Sequence, residues 1–292
     1  MAKELDHPYE LEGGKWLRGN LHCHPRPREI PFDVAVHYRK LGYGFVVLTE
    51  HDHFYSTDDI ASWDDQGLVL IPGNEITKDG PHILHIGADR RIEPDENRQK
   101  VIDQINSSSG FAVMNHPNLS SNFDSTPMDC LRKLQGYLAI EIYNDGGARG
   151  VGNPYATDKW DMLLTEGRRI WGIATDDYHG PLHAGNGWVM AYVQHRDRNG
   201  VLEALQRGRF YASTGISIDQ IEVEGLYVRI EASNAQHIAA TIEHGRTVAT
   251  TNSSVLEVPV PPDATYVRFE CWGTGRSQAW TQPFWVRDGD KG

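Results

Sequence analysis

The chain has 292 residues, 39% of them apolar, which is enough for one large core or for a large domain with a smaller one. Its 28 basic and 40 acidic side chains give a formal net charge of −12. This balance excludes an extended nucleic-acid surface, because such a surface concentrates Lys and Arg on one face.

Membrane and secretory classes are also disfavoured. No apolar run reaches the length of a membrane span, and the first residues lack the apolar stretch of a secretory signal. The three cysteines, Cys23, Cys130 and Cys271, are too far apart for a disulfide framework. We therefore expect a cytoplasmic protein that does not associate with membranes.

Short apolar runs alternate with polar, helix-like stretches up to about residue 215. The predicted strands are 17–21, 45–49, 68–71, 111–114, 137–140 and 170–174. The predicted helices are 32–41, 95–107, 127–134, 157–166 and 200–208. Continuously apolar runs are typical of buried parallel strands, and the alternation predicts a parallel α/β sheet, open or closed into a barrel.

After residue 215 the pattern changes to strict alternation of apolar and polar residues. The alternating segments are 216–223, 227–232, 239–243, 255–258 and 266–272. A period of two predicts half-buried antiparallel strands, here a small sandwich-like β-domain. We place a domain boundary at this change, with domains 1–215 and 216–292.

The apolar runs of the first domain end in residues of the types that bind metals. In chain order these are His22 and His24, His51, Glu75, His116, Glu141, and Asp177 with His179. Functional groups of parallel α/β folds collect at the carboxyl ends of the strands. The ends of different strands would therefore supply one metal site.

Spacing adds to this expectation. Residues two apart on a strand face the same side, so His22 and His24 point together, and so do Asp177 and His179. Paired imidazoles suit Zn, Mn or Fe, and a carboxylate such as Glu75 can bridge two cations.

Each residue has a simpler explanation when it is taken alone. Asp176 and Asp177 could cap a helix, and Glu141 could pair with an arginine. Glu50 and Asp52 could hold His51 in place instead of binding metal. Four further histidines near the motifs, His53, His82, His85 and His183, are candidate pocket residues. The order of the whole set favours a metal centre.

Five segments together resemble the successive motifs of the PHP (polymerase and histidinol phosphatase) superfamily. They are Gly19-Asn20-Leu21-His22-Cys23-His24, Leu48-Thr49-Glu50-His51-Asp52, Pro72-Gly73-Asn74-Glu75-Ile76, Asn115-His116-Pro117 and Asp177-Tyr178-His179. The resemblance covers about residues 16 to 215. The stretch from Ala204 to Gly215 further resembles a metallohydrolase branch that includes carbaryl hydrolase, whose members often carry a C-terminal β-domain.

The resemblance implies a distorted seven-stranded (βα)7-type barrel with two or three divalent transition metals at its mouth. His22, His24, Glu75 and Asp177 would hold the first metal, and Glu75, His116 and Glu141 the second. His51 and His179 would belong to a third site. Glu29 falls near the position of a further third-site ligand, although Pro25-Arg26-Pro27-Arg28-Glu29 stands where many members have a Ser-Asp-Gly segment.

The expected reaction is metal-assisted hydrolysis of an ester, foremost a phosphoester, in a small substrate. A water between two cations becomes the nucleophile near neutral pH, and the cations stabilise negative charge in the transition state. His179 or His51 could assist the leaving group as an acid. Arg26, Arg28 and Arg149 could bind phosphate, or could be solvated loop arginines.

Three other functions remain open at this point. Carbamate or carboxylic ester hydrolysis would use the same metals. A structural role is known for PHP domains of some DNA polymerases that have lost ligands. The C-terminal tryptophans Trp272, Trp280 and Trp285 could bind a glycan, although such residues more often fill a β core. Metal identity, the phosphomonoester or phosphodiester nature of the substrate and the oligomeric state are not determined by the sequence.

Overall fold

The computed structural model describes residues 3–25, 31–63, 65–150 and 152–289. The strands up to residue 215 are β1 (Lys3–Asp6), β2 (Lys15–Asn20), β3 (Phe45–Leu48), β4 (Val69–Ile76), β5 (Ile83–Ile86), β6 (Phe111–Met114), β7 (Ala139–Asn144), β8 (Trp171–Thr175), β9 (Trp188–Val193) and β10 (Phe210–Ser213). The helices are α1 (Pro31–Lys40), α2 (Thr57–Ala61), α3 (Arg98–Asn106), α4 (Met128–Lys133), α5 (Asp145–Arg149), α6 (Thr157–Thr165) and α7 (Arg198–Gln206). The mixed α/β class is as predicted.

The large sheet is rich in parallel pairs in its first half. Strands β2, β3 and β4 pair in parallel, and so do β6, β7 and β8. The side chains of β3, β6 and β7 are buried on both faces, because a continuously apolar strand needs cover on both sides. The predicted parallel-strand pattern is confirmed for these elements.

Several strands before residue 215, β5 and β9 among them, depart from the predicted parallel pattern. β5 pairs antiparallel with both β4 and β6, and β9 pairs antiparallel with β2. The segment 77–82 between β4 and β5 is too short for a parallel crossover, which needs about a dozen residues. The length of the connection therefore decides the direction of β5. The pattern of apolar residues carries no information on that direction.

Every predicted helix is present within a few residues of its expected ends. The sequence missed α2 and α5. α2 is short, buries only Ile60 and depends on a capping box between Ser56 and Asp59, so it lacks an apolar periodicity. α5 contains Gly146 and Gly147, which predict a loop because glycine is a poor helix former.

The remainder of the chain adds antiparallel strands. They are β11 (Gln220–Glu224), β12 (Tyr227–Glu231), β13 (His237–Ile242), β14 (Arg246–Thr251), β15 (Val255–Pro259), β16 (Tyr266–Trp272), β17 (Gln278–Trp280) and β18 (Phe284–Asp288). β11, β12 and β15 form a separate three-stranded sheet. The others join the large sheet, which continues through the pairing of β10 with β17. The division at residue 215 remains a prediction.

Polar contacts also join the two parts of the chain. The Gln282 side chain accepts from the Gly172 amide and donates to its carbonyl, each at 2.8 Å, and so occupies hydrogen-bonding positions along β8. β1 pairs with β18, so the first and last described strands lie side by side. No helix in the described part of the chain is long and apolar enough to cross a membrane.

Candidate metal centre

The predicted ligands that the structure describes lie together around one focus. His22 and His24 follow β2, His51 follows β3, Glu75 lies near the end of β4, His116 follows β6, Glu141 lies in β7, and Asp177 and His179 follow β8. Residues 26–30 are outside the described part of the chain, so Glu29, Arg26 and Arg28 cannot be placed. The carboxyl ends of the strands meet at one edge, which is why residues distant in sequence converge.

Glu75 is at the middle of this cluster. Its Oε1 lies 3.4 Å from His22 Nε2 and 3.3 Å from His116 Nε2. Its Oε2 lies 3.6 Å from His24 Nε2 and 2.7 Å from His51 Nδ1. The two oxygens thus face different histidines, which is the arrangement that a carboxylate shared by two cations requires.

Among the described residues, three groups of side chains bring their ligand atoms within 4.8 Å of one another. These groups are His22 with His24 and Asp177, His22 with Glu75 and His116, and His24 with His51 and His179. The groups share His22 and His24, so they form one continuous cluster. Asp177 joins it through Oδ1, which lies 3.5 Å from His22 Nε2 and 3.4 Å from His24 Nε2.

Glu141 contacts the cluster in a different way. Its Oε1 lies 2.7 Å from His22 Nδ1 and accepts from the Thr175 hydroxyl at 2.7 Å. Its Oε2 accepts from the His116 backbone amide at 2.7 Å and from Asn144 at 2.8 Å. A carboxylate so placed orients the ring of His22, whose Nε2 is then turned to the focus. Its role as a ligand stays a prediction.

The donor set fits divalent cations. Within the described part of the chain, His22 Nε2 and both ring nitrogens of His24 are buried and make no hydrogen bond of good geometry, although carboxylate oxygens lie 3.4–3.6 Å from them. Buried polar atoms are nearly always partnered, so such a group needs an explanation, and an ion is one. Imidazole nitrogens combined with carboxylate oxygens suit Zn, Mn or Fe.

Charge at the focus shifts the ionisation of these residues strongly. Burial alone lowers the pKa of His22, but Asp177, Glu141 and Glu75 together raise that pKa well above its ordinary value. The pKa values of His24 and His116 are raised on balance as well, because nearby carboxylates outweigh burial. The folded chain without metal therefore holds protons where cations would supply positive charge.

Arg149 supports the backbone of Asp177. Asp177 has a φ of +48°, an unusual conformation for a residue with a side chain. The Arg149 guanidinium donates to the carbonyls of Asp176 at 3.0 Å and Asp177 at 2.7 Å, and it pairs with the Asp145 carboxylate. These bonds stabilise the strained conformation. The proposed phosphate contact of Arg149 remains a prediction.

Asp176 closes a loop and does not cap a helix. Its carboxylate accepts from the backbone amides of Asn186 at 2.7 Å and Gly187 at 2.8 Å, and from the Tyr38 hydroxyl at 3.0 Å. Burial raises the pKa of Asp176 to about 6, although the amide hydrogen bonds oppose this rise. Asp176 therefore holds the loop after β8 in place, and only Asp177 of the pair contacts the histidine cluster.

The candidate pocket histidines fall in different places. His82 Nδ1 lies 3.0 Å from Glu75 Oε1, so His82 belongs to the centre. His183 accepts the His179 backbone amide at 3.0 Å. His85 is buried and hydrogen-bonds the Ser109 carbonyl at 2.7 Å, and the His53 ring packs against that of Tyr55.

Two important supporting residues were not predicted from the sequence. Asn115 donates to Glu75 Oε1 at 2.7 Å. The buried ammonium of Lys159 donates to the carbonyls of Pro117 at 3.0 Å and Thr126 at 2.7 Å. The position of Asn115 directly before His116 was a usable signal. No comparable signal in the sequence indicated Lys159, because a lysine on an amphipathic helix is ordinarily solvated.

A cavity of about 730 Å³ opens beside the cluster. His82, His116, Asp177 and His179 line it, together with Leu119. A small organic substrate could therefore reach the predicted ligands from this side.

Comparison with solved structures supports the fold. A two-domain protein from Bacteroides vulgatus ATCC 8482 containing a predicted PHP-like metal-dependent phosphoesterase is 16% identical, with a TM-score of 0.52, over 96% of this chain and 98% of that one. PsfC from Pseudomonas syringae PB-5123 is 11% identical, with a TM-score of 0.45, over 65% of this chain and 87% of that one. No protein-family model and no curated protein matches the chain. At this identity the first likeness concerns the fold alone.

Proposed function

We propose that this protein is a metal-dependent hydrolase, specifically a phosphoesterase of the PHP type acting on a small phosphorylated substrate. The observation that carries the proposal is Glu75, whose two oxygens each face separate histidines within 3.6 Å. Two or three divalent transition metals, Zn, Mn or Fe, would occupy this centre at the mouth of a distorted seven-stranded barrel. The likeness to a predicted PHP-like phosphoesterase of two domains supports the same function.

The residues of the centre have separate tasks in this proposal. His22, His24, Glu75, His116 and Asp177 would hold the cations, with Glu141 orienting His22 or binding directly. Bound cations supply Lewis acidity toward the phosphoryl oxygens and the attacking water. His51 and His179 are about half and one-third exposed, and their Nε2 atoms lie 3.4 Å apart. In this proposal they would hydrogen-bond the departing oxygen or complete a third site.

Metal analysis combined with a substrate panel tests the proposal. We expect two or more equivalents of transition metal per chain, hydrolysis of p-nitrophenyl phosphate in preference to p-nitrophenyl acetate, and loss of activity with a chelator. His116→Ala should remove one metal and most of the turnover. His195→Ala is the matched control, because His195 is exposed on the segment after β9.

An active preparation without metal would end the proposal. Preference for the acetate, or for an aryl carbamate, would instead support an ester or carbamate hydrolase at the same centre. A full complement of metal without turnover of any ester would favour a binding or structural role. We also propose the cytoplasmic location that the sequence predicts. Cell fractionation tests it.

A further inference from the structure

Apart from the predicted metal ligands and His82, the described residues of the cavity wall provide few polar side chains. Apart from the histidines and Asp177, its described lining consists of Pro81, Leu119, glycines, two serines and Arg149. Pro81 and Leu119 offer only apolar side chains. A ligand that reaches the metals would therefore meet an apolar surface beyond its reacting group.

The two serines and the arginine of this lining are already engaged within the protein. The Ser125 hydroxyl donates to the His116 carbonyl at 2.6 Å, and the Ser120 hydroxyl donates to Asn122. The Arg149 guanidinium is engaged by two backbone carbonyls and by Asp145. A polyhydroxylated group placed here would lose water without gaining equivalent hydrogen bonds, which costs free energy.

The loops around the cavity expose large apolar side chains. Within the described chain, five large hydrophobic residues are clearly exposed. Two of them lie in loops that border the cavity: Phe123 is 56% exposed in the loop that supplies Leu119, and Leu182 is 92% exposed just after His179. Neither side chain lines the cavity itself, so the apolar contacts available to a ligand inside it are those of Pro81 and Leu119.

We propose that the substrate is a phosphate monoester of a compact apolar alcohol, alkyl or aryl, and not a sugar phosphate or nucleotide. This inference rests on the proposed phosphoesterase function and specifies its leaving group. The phosphoryl group binds at the metal centre, and the apolar group packs against Leu119 and Pro81. Each buried methylene then raises kcat/KM by up to about fourfold.

A series of primary alkyl phosphates tests the inference on the metal-loaded protein. Methyl, butyl, hexyl and glucose 6-phosphate all release primary alcohols of similar acidity, so differences report binding of the leaving group. We expect kcat/KM to rise along the alkyl series and hexyl phosphate to exceed glucose 6-phosphate at least tenfold. Leu119→Asn should flatten the series. Met162→Asn, an exposed apolar position on α6 outside the cavity lining, is the control and should leave it unchanged.

Binding measured without turnover separates this inference from the proposed function. Calorimetry should show hexylphosphonate binding more tightly than methylphosphonate, with the difference reduced in Leu119→Asn. A flat alkyl series, or preference for glucose 6-phosphate, would overturn the inference and leave the phosphoesterase proposal standing. Tight hexylphosphonate binding with no hydrolysis of any phosphate would overturn the phosphoesterase and retain the apolar site. Equal affinity for the two phosphonates would contradict the apolar site, whether or not the protein hydrolyses phosphate esters.

Discussion

At the scale of single residues, the carboxylates and histidines of the centre shift each other's pKa values. The pKa of Glu75 is held well below its ordinary value on balance, because His22, His116 and His51 outweigh its burial. The pKa of Asp177 is lowered in the same way by His22, His24 and His116. Protonated histidines and ionised carboxylates thus stabilise each other in the chain without metal.

This pairing predicts a pH dependence for the metal-free protein. A histidine whose folded pKa exceeds its ordinary 6.5 adds stability that is complete below pH 6.5 and is lost as pH rises through the folded pKa. The carboxylates with lowered pKa values add stability above about pH 4 and lose it in stronger acid. We expect the melting temperature with chelator to be highest between about pH 4.5 and 6.5 and to fall at higher pH.

The metal-loaded protein should behave in the opposite way above pH 6.5. Cations displace protons from His22, His24 and His116, so metal affinity rises with pH until these residues are deprotonated. Thermal melts from pH 6 to 9 with and without chelator measure both effects. Parallel curves for the two forms would show that the histidines do not exchange protons for metal.

At the scale of elements, α6 holds the loop that follows β6. The Lys159 ammonium contacts both ends of segment 117–126, through the carbonyls of Pro117 and Thr126, and pairs with Asp124 at 2.6 Å. This loop begins directly after His116 and supplies Leu119 to the cavity. The helix therefore positions a predicted ligand and a cavity wall together.

Replacing Lys159 with Met should loosen this loop. The Thr126 carbonyl loses its hydrogen bond from the ammonium, at about 1–3 kcal/mol, whereas the Pro117 carbonyl keeps the Thr126 backbone amide as a donor. We therefore expect the free energy of unfolding to fall by roughly 1–3 kcal/mol. Metal affinity, measured by competition with a fluorescent chelator, should fall as well. Lys100→Met on α3, whose side chain is 63% exposed, is the control and should change neither quantity appreciably. Unchanged metal affinity in Lys159→Met would limit this residue to a stabilising role.

At the scale of the whole molecule, a buried ion pair joins the helical part to the C-terminal strands. Arg268 on β16 is almost wholly buried and donates to both carboxylate oxygens of Asp161 on α6 at 2.8 Å. It also pairs with Glu270. Both acids raise the pKa of Arg268 above its ordinary value although burial lowers it, so the arginine stays charged.

Removing this arginine should destabilise the protein strongly. Arg268→Met leaves the carboxylates of Asp161 and Glu270 without their arginine partner. Breaking a buried ion pair costs about 3–5 kcal/mol. Urea denaturation followed by tryptophan fluorescence measures the loss. The control is Arg132→Met, whose partner Glu166 lies on the surface, and it should have little effect. Equal stability of the two variants would contradict a joining role for Arg268.

Much of the first half of the fold was predictable because its signal is local. The apolar runs that became β3, β6, β7 and β8 are continuous, and only a strand buried on both faces needs such a run. The edge and connecting strands were harder. The strands β1, β9, β10, β14, β17 and β18 were not predicted. β17 is only three residues long, and no residue of β14 is fully buried.

The sequence by itself determined which residue types stand at the strand ends, and therefore the expectation of a metal centre. The two-residue spacing of His22 and His24 predicted that their rings lie together, and they do, with ring centroids 4.9 Å apart, although both residues follow β2. Only the tertiary structure decided that Glu75 lies among five histidines, that Arg149 contacts carbonyls, and that Lys159 holds the loop after His116. These contacts join residues far apart in the chain, and no local pattern encodes the distance between them.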